Sequence, residues 1–170
     1  MLYLLLIIVE KGVKMGLTHK DSFENRKRHN IAEDKAVQYY NSIDCTLIRY
    51  GLDQLNSGIG KKEFCLIPKV LRNTPDYIVI QKMAWLVEVK GGRDILRLKF
   101  EDLESYDKWT HFCPILFFVY STSFKKHKQI TYTDIKDLIY SNDYPTDRYP
   151  DNNKEYYKIP MLDIFEKNEG

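Results

Sequence analysis

The chain has 170 residues, of which 44% are hydrophobic and 29% are charged, and its formal net charge is +2. This balance is typical of a globular protein and excludes a disordered or fibrous chain. The length is sufficient for one domain with a substantial core. A net charge this small does not by itself indicate a nucleic-acid binder, so a functional prediction must rest on local features.

The first nine residues are strongly apolar, but this run is far shorter than the roughly 20 residues that span a bilayer. It also lacks the basic segment and the cleavage site of a signal peptide, so we predict no membrane association. Residues 1–21 are interpreted as an N-terminal extension and residues 22–170 as a single domain. The apolar run is a candidate strand or homodimer interface, unless the natural start is Met15.

Three cysteines, Cys45, Cys65 and Cys113, are scattered along the chain without CxxC spacing. This arrangement argues against a zinc ribbon or a redox pair. Cys65 and Cys113 stand within apolar runs and are predicted to be small buried side chains. An odd, scattered set of cysteines fits a reducing compartment, and we therefore predict a cytoplasmic protein.

Two short segments, residues 25–29 and residues 125–128, are rich in lysine and arginine. Either segment is dense enough to contact phosphates, and either is equally consistent with a solvated basic surface. The two clusters therefore make nucleic acid a candidate partner without establishing it.

In chain order, the first predicted element is a helix that begins at residue 21 or 22 and ends near residue 41, with apolar positions at helical spacing. A short strand is predicted over residues 45–50, and the glycine-containing segment 51–62 is predicted to be a loop. Residues 64–67 form a further apolar run, which predicts a second short strand ended by Pro68.

The middle of the chain predicts strands with one helix between them. Residues 77–80 and 85–89 indicate an antiparallel hairpin that ends at Gly91 and Gly92. The elements that follow are a strand over 95–100, a helix over 101–112 and a strand over 114–120, which is apolar enough to be buried on both faces.

The last part of the chain predicts a helix capped by Thr133 that continues through residue 140. Residues 142–153 are predicted to be a polar loop, and residues 156–160 an edge strand. Taken together, this order of elements predicts an α/β fold in which a mixed central β-sheet is flanked by helices.

The predicted hairpin carries an unusual set of charged side chains. Because side chains alternate between the two faces of a strand, Glu88 and Lys90 share one face with Leu86. Asp76 begins the partner strand, where the hairpin would bring its carboxylate beside Glu88. Pro75 fits this position because the first residue of a strand can lack an N–H donor.

These residue types are the ones that metal-assisted phosphodiester hydrolysis requires. Asp76 and Glu88 are predicted ligands of Mg²⁺ or Mn²⁺, together with the carbonyl group of Val89. Lys90 is predicted to act as the general base or to position the attacking water. The expected cofactor is therefore a divalent cation.

Pro75-Asp76, eleven intervening residues and then Glu88-Val89-Lys90 resemble the motif of the PD-(D/E)xK nuclease superfamily. That superfamily includes restriction endonucleases, Holliday junction resolvases and phage recombination nucleases. The resemblance covers roughly residues 22–121 and implies a restriction endonuclease-like core around the hairpin. It also implies metal-dependent cleavage of nucleic acid.

Members of this superfamily often add an acidic ligand from the leading helix, and the resemblance points to Glu33 here. Glu33, Val37 and Tyr40 lie at i, i+4 and i+7, which predicts that the carboxylate faces inward. His29 lies one turn earlier and is a further candidate metal ligand. Some cap-snatching viral endonucleases, whose site is similar, use a helix histidine as an additional manganese ligand.

Many members also place a glutamine or lysine on the helix after the hairpin, and residues 93–112 contain no glutamine. Tyr106 or Lys108 on that helix is a candidate phosphate contact. Arg97 and Lys99, which share one face of the preceding strand, are alternative candidates.

The competing interpretation is a solvent-exposed Glu88–Lys90 pair on an ordinary hairpin. However, the hairpin strand is predicted to be covered on both faces, where two charges are costly without a metal or other partners. The sequence therefore favours a metal-dependent DNA endonuclease, of the restriction or branched-DNA type. An RNA endonuclease with the same site and an inactive nucleic-acid-binding protein are the alternatives.

Overall fold

The computed structural model describes residues 31–52 and 59–166. The apolar run at residues 1–9, on which the homodimer prediction rests, lies outside these residues. The basic cluster at residues 25–29, His29 and the predicted start of the leading helix also lie outside them. The division of the chain near residue 21 therefore stays a prediction.

The described chain contains eight strands and six helices, with three strands in succession at its centre. The strands are β1 (Thr46–Arg49), β2 (Tyr77–Ile80), β3 (Ala84–Gly92), β4 (Ile95–Lys99), β5 (Ile115–Ser121), β6 (Lys126–Thr131), β7 (Thr146–Arg148) and β8 (Glu155–Pro160). The helices are α1 (31–42, within the described part), α2 (Lys61–Leu66), α3 (Lys69–Arg72), α4 (Phe100–Trp109), α5 (Tyr132–Tyr140) and α6 (Met161–Glu166).

The central sheet has five strands in the order β1-β2-β3-β5-β6. The β3–β5 pair is parallel, and the other pairs in this sheet are antiparallel. A separate sheet of three antiparallel strands has the order β4-β8-β7. The predicted fold class, an α/β protein with a mixed central sheet flanked by helices, is confirmed.

The two faces of the central sheet are covered by different elements, because the side chains of each strand alternate between them. On one face, Val87 and Val89 of β3 pack with α1 through Ala32, Ala36 and Tyr40. On the other face, apolar residues of β3 and β5 pack with α4, α5, α6 and the small sheet. Strand β5 is buried on both faces, as its continuous apolar run predicts.

The strand predicted over residues 64–67 is wrong, because residues 61–66 form helix α2. A run of four apolar residues fits a short helix as well as a strand, and periodicity cannot separate the two. Cys65 was predicted to be buried and is exposed, while Cys113 is half-buried. The three cysteines are all free thiols.

Helix α5 begins earlier than predicted. The cap is Thr131, whose hydroxyl accepts a hydrogen bond from the Asp134 N–H at 3.1 Å. Thr133 lies inside the first turn, where its side chain cannot cap the helix. The preceding strand β6, which includes part of the basic cluster at 125–128, was not predicted because charged residues conceal its alternation.

Strand β8 was predicted to be an edge strand and is instead the middle strand of the small sheet, between β4 and β7. Strand β7 lies within the predicted polar loop, and helix α6 was also not predicted. Within residues 31–52 and 59–166, no helix is both long enough and apolar enough to cross a bilayer.

Candidate active site

The candidate site lies at the end of strand β3, on the face that is covered by α4. Leu86 belongs to the core on this face, and Glu88 and Lys90 continue the same row of side chains. Glu88 is only 5% exposed, although it carries an ionisable group. A solvent-exposed Glu88–Lys90 pair is therefore excluded, and the charges lie where burial is costly without partners.

Asp76 lies immediately before strand β2 and is brought to Glu88 by the hairpin register. Tyr77 is paired with Val87, so Asp76, the residue before the strand, lies opposite Glu88. The Val89 N–H donates a hydrogen bond of 2.8 Å to Asp76 Oδ2 and fixes the carboxylate at this edge. Burial, followed by the charge of Glu88, raises the pKa of Asp76 well above its ordinary value.

The backbone around Asp76 is held by the segment that follows β1. The Asp76 carbonyl accepts hydrogen bonds from the Tyr50 N–H at 2.9 Å and from the Gly51 N–H at 3.0 Å. A Cβ atom at residue 51 would lie 3.1 Å from the Asp76 Cα and 3.2 Å from the Pro75 carbonyl oxygen. Glycine at this position therefore permits a close approach that orients Asp76.

Lys90 lies between two carboxylates from different elements. Its Nζ is 2.6 Å from Glu88 Oε1 and 3.5 Å from Asp102 Oδ2 on helix α4. Burial alone lowers the pKa of Lys90, but the charges of Glu88 and Asp102 outweigh it and raise the pKa above its ordinary value. The side chain is therefore held as an ammonium group.

Helix α4 contributes a second residue, Tyr106, which lies one turn after Asp102. Tyr106 is buried, and it lies close enough to Glu88 for this carboxylate to influence the pKa of its phenol. Burial is the largest cause that raises the pKa of Tyr106, followed by the charges of Glu88 and Asp102. The phenol therefore remains neutral and is available to donate to the Glu88 carboxylate.

Asp102 was not among the predicted site residues, and Tyr106 was predicted only as a phosphate contact. The sequence placed two acids in the first turn of this helix, where a favourable interaction with the helix dipole explains them. The spacing of polar residues on α4 is a better indication that this helix contributes to the site. Asp102, Ser105 and Tyr106 lie at i, i+3 and i+4 and therefore on one side of the helix. All three are buried.

The predicted residue Glu33 has a different environment from Glu88. Its Oε2 lies 3.3 Å from Arg49 Nη1, and the Arg49 guanidinium lies 4.9 Å from the centroid of the Tyr77 ring. Helix α1, which carries Glu33, packs on the opposite face of the sheet from Glu88. Among the described residues, no group of three His, Cys, Asp or Glu side chains is arranged to hold a metal.

The remaining predicted phosphate contacts fall into two groups. Lys108 is exposed, two residues beyond Tyr106, and so projects from another side of α4. Arg97 and Lys99 lie on the outer face of β4, in the small sheet, next to the ring of Tyr149. His29 lies outside the described residues.

No protein-family model matches the chain, and no curated protein matches it. Among solved structures, the chain is similar to one described as the structure of D212, a nuclease from a fusselovirus. The TM-score is 0.48 and the sequence identity is 17%, over 80% of this chain and 82% of that one. A similarity at this level carries no argument about function, which must come from the site itself.

Proposed function

We propose that this protein is a metal-dependent nuclease that hydrolyses phosphodiester bonds. The observation that carries the proposal is the convergence of Asp76, Glu88 and Lys90 at one end of the β2–β3 hairpin. Ionisable groups that are buried in one cluster at the end of a strand are typical of functional sites. The motif in the sequence and this geometry support the same chemistry.

The donor set fits Mg²⁺ or Mn²⁺, because Asp76 and Glu88 provide hard oxygen ligands on neighbouring strands. Val89 supports this fit, because its N–H is directed to Asp76. The N–H and the carbonyl of one strand residue point to the same side, so the Val89 carbonyl is also directed to the side of Asp76. The β2–β3 pairing ends at Val87, and the Val89 carbonyl therefore lies beyond the paired part of the hairpin. A bound divalent cation would supply an activated water and would neutralise charge on the phosphate.

Charge balance gives a second reason to expect a cation. Glu88 and Asp102 both pair with the ammonium group of Lys90, and Asp76 lies near enough for its charge to interact with that of Lys90. Burial and the charge of Glu88 disfavour the ionised form of Asp76 even though the Lys90 and Arg49 charges favour it, so a divalent ion bound here would supply the positive charge that the carboxylates need. Such a cluster is suited to a divalent ion, whereas a purely structural ion pair would require only one carboxylate.

Of the two roles predicted for Lys90, we propose that it orients the attacking water, because an ammonium group has no lone pair with which to receive a proton. The two ion pairs favour the ammonium form, which can donate hydrogen bonds to water and to a phosphate oxygen. Asp102 and Tyr106 are positioning residues in this proposal, since they hold Lys90 and Glu88 from helix α4. Glu33 stays a prediction as a further ligand, and it would have to leave Arg49 to act as one.

DNA is the proposed substrate, because the sequence motif resembles that of DNA endonucleases. RNA is the alternative substrate, and it requires the same metal site. The test is to incubate the protein with plasmid, single-stranded, branched DNA and RNA in Mn²⁺, with EDTA as the control. We expect cleavage of at least one DNA substrate in Mn²⁺ only, whereas cleavage in EDTA or of no substrate would contradict the proposal.

A further inference from the structure

The small sheet presents a group of basic and aromatic side chains beside the candidate active site. Leu96 and Leu98 of β4 face the core, so Arg97 and Lys99 lie on the outer face of the strand. We call Arg97, Lys99 and Tyr149 the basic–aromatic face. Among the described residues, no carboxylate forms an ion pair with either of its two cations.

Two tyrosine rings lie beside these cations, and Arg97 is nearer to Tyr156, with 5.3 Å between its Cζ and the ring centroid, than to Tyr149. The Arg97 Cζ lies 6.0 Å from the centroid of the Tyr149 ring, and the Lys99 Nζ lies 5.8 Å from it. The Tyr149 ring also packs on Tyr156, with 4.4 Å between the ring centroids. A cation near an aromatic ring keeps its charge while the motion of its side chain is restricted, which suits recognition of an anion.

The position of Tyr149 is fixed by the turn between β7 and β8. Its N–H donates to the Lys154 carbonyl at 3.0 Å, and its own carbonyl accepts from the Asn153 N–H at 2.8 Å. The Lys154 side chain forms an ion pair with Glu101 on helix α4. The turn is thereby attached to the helix that carries Asp102.

The basic–aromatic face adjoins the Lys90 cluster through two connections. Lys99 is the residue that caps helix α4, three positions before Asp102. The second connection is electrostatic: burial raises the pKa of Tyr149, and the next largest influence on that pKa is the Lys90 charge, which lowers it. The basic–aromatic face is therefore near enough to the Lys90 cluster for the two to interact electrostatically.

We propose that the basic–aromatic face binds the phosphate backbone of the nucleic acid next to the bond that is cleaved. Arg97 and Lys99 contact successive phosphates, and Tyr149 is the positioning residue that aligns them with the Lys90 cluster. The charge complementarity is direct, since these two cations have no carboxylate partner in the described part of the chain and would face a polyanion. This inference rests on the proposed function, because it assumes a nucleic-acid substrate at the Lys90 cluster.

The test compares a double variant, Arg97→Gln/Lys99→Gln, with a control of equal charge change, Lys35→Gln/Lys82→Gln. Lys35 lies on α1, on the opposite face of the sheet, and Lys82 lies in the hairpin turn, away from Asp76. The probe is fluorescently labelled single-stranded poly(dT), in EDTA to prevent cleavage. Its dissociation constant is measured by fluorescence anisotropy at several salt concentrations.

We expect the Arg97/Lys99 variant to bind the probe about tenfold more weakly than the wild type, whereas the control binds within about twofold of it. The dependence of log affinity on log salt should become shallower by about 1.4, since each lost phosphate contact of a single strand contributes about 0.7. In Mn²⁺, KM should rise while kcat changes little, because the chemical groups are untouched.

Tyr149 is tested by two further substitutions. Tyr149→Phe keeps the ring and should bind the probe like the wild type, whereas Tyr149→Ala should bind it more weakly. If the alanine variant does not fold, as judged by circular dichroism, the Arg97/Lys99 variant alone decides. Equal affinity of that variant and the wild type overturns this inference but leaves the nuclease proposal intact. A wild type that neither binds nor cleaves nucleic acid overturns both.

Discussion

Lys90 and Asp102 form an ion pair that joins the end of strand β3 to the first turn of helix α4, with 3.5 Å between Nζ and Oδ2. Lys90 also contacts Glu88 at 2.6 Å, so its charge compensates two carboxylates that are themselves largely buried. This pairing explains how the fold tolerates ionised groups at this position. It also makes the stability of the protein depend on the residues proposed to perform the chemistry.

Replacing Lys90 with methionine is therefore expected to destabilise the fold. The substitution keeps the volume but leaves Glu88 and Asp102 buried without their cation, which costs about 3 kcal/mol. Urea denaturation of both proteins measures the difference in free energy of unfolding. The double variant Lys90→Met/Glu88→Gln should recover part of the loss, and a single variant as stable as the wild type would contradict the role of the ion pair.

Substitutions of Asp76 and of Glu33 should differ sharply in how much they reduce the rate of cleavage. Asp76→Asn keeps an acceptor for the Val89 N–H but removes a charged ligand, and we expect cleavage to fall about 100-fold or more. Glu33→Gln disrupts a half-exposed pair with Arg49 and should leave cleavage within about tenfold of the wild type. The measurement is the initial rate of cleavage in Mn²⁺ for both variants. An equal loss of rate in the two would indicate that Glu33 is also a metal ligand.

Gly92 ends strand β3 where the chain has no room for a side chain. A Cβ atom there would lie 2.4 Å from the Ile95 carbonyl oxygen and 2.5 Å from Met161 Cε. Gly92→Ala is therefore expected to lower the free energy of unfolding by about 1–3 kcal/mol through overpacking. Thermal or urea denaturation measures this loss, and an unchanged stability would mean that strand β4 can shift away.

His127 should make the stability depend on pH. His127 is an exposed residue, but its ring stacks on Phe118 with 4.8 Å between centroids and lies 4.7 Å from the Tyr39 ring, and desolvation lowers its pKa below the ordinary 6.5. Because the folded state then binds fewer protons than the unfolded state, the contribution to stability is complete above pH 6.5. It is lost as the pH falls towards the lowered value.

The measurement is urea denaturation of the wild type and His127→Phe between about pH 8 and about pH 5. The phenylalanine ring preserves the stacking on Phe118 but cannot bind a proton. The wild type should therefore lose more stability on acidification than the variant. Identical pH profiles for the two proteins would contradict the assignment.

The sequence predicted the parts of the site that depend on short-range geometry. Alternation along one strand places Glu88 and Lys90 on the same face, and a short hairpin places Asp76 beside them, so residues within fifteen positions of each other were sufficient. The buried strand β5 was predicted for a similar reason, since continuous apolar character identifies a strand with two covered faces.

The contributions of the helices were not predictable in this way. Which helix covers the Glu88 face is determined by the long-range topology of the sheet, and helical periodicity cannot reveal it. Glu33 lies on the edge of the buried stripe of α1, but that stripe packs against the opposite face. Asp102 and Tyr106 complete the cluster from α4, and the small sheet brings Tyr149 beside it.

The central claim is that Asp76, Glu88 and Lys90 form a metal-dependent catalytic site. The most direct test is the initial rate of DNA cleavage as a function of Mn²⁺ concentration, for the wild type and for Glu88→Gln at equal concentrations of folded protein. We expect a rate that rises to saturation in the wild type, vanishes in EDTA and stays near background in the variant. Equal rates for the two proteins, or cleavage that is independent of Mn²⁺, would contradict the claim.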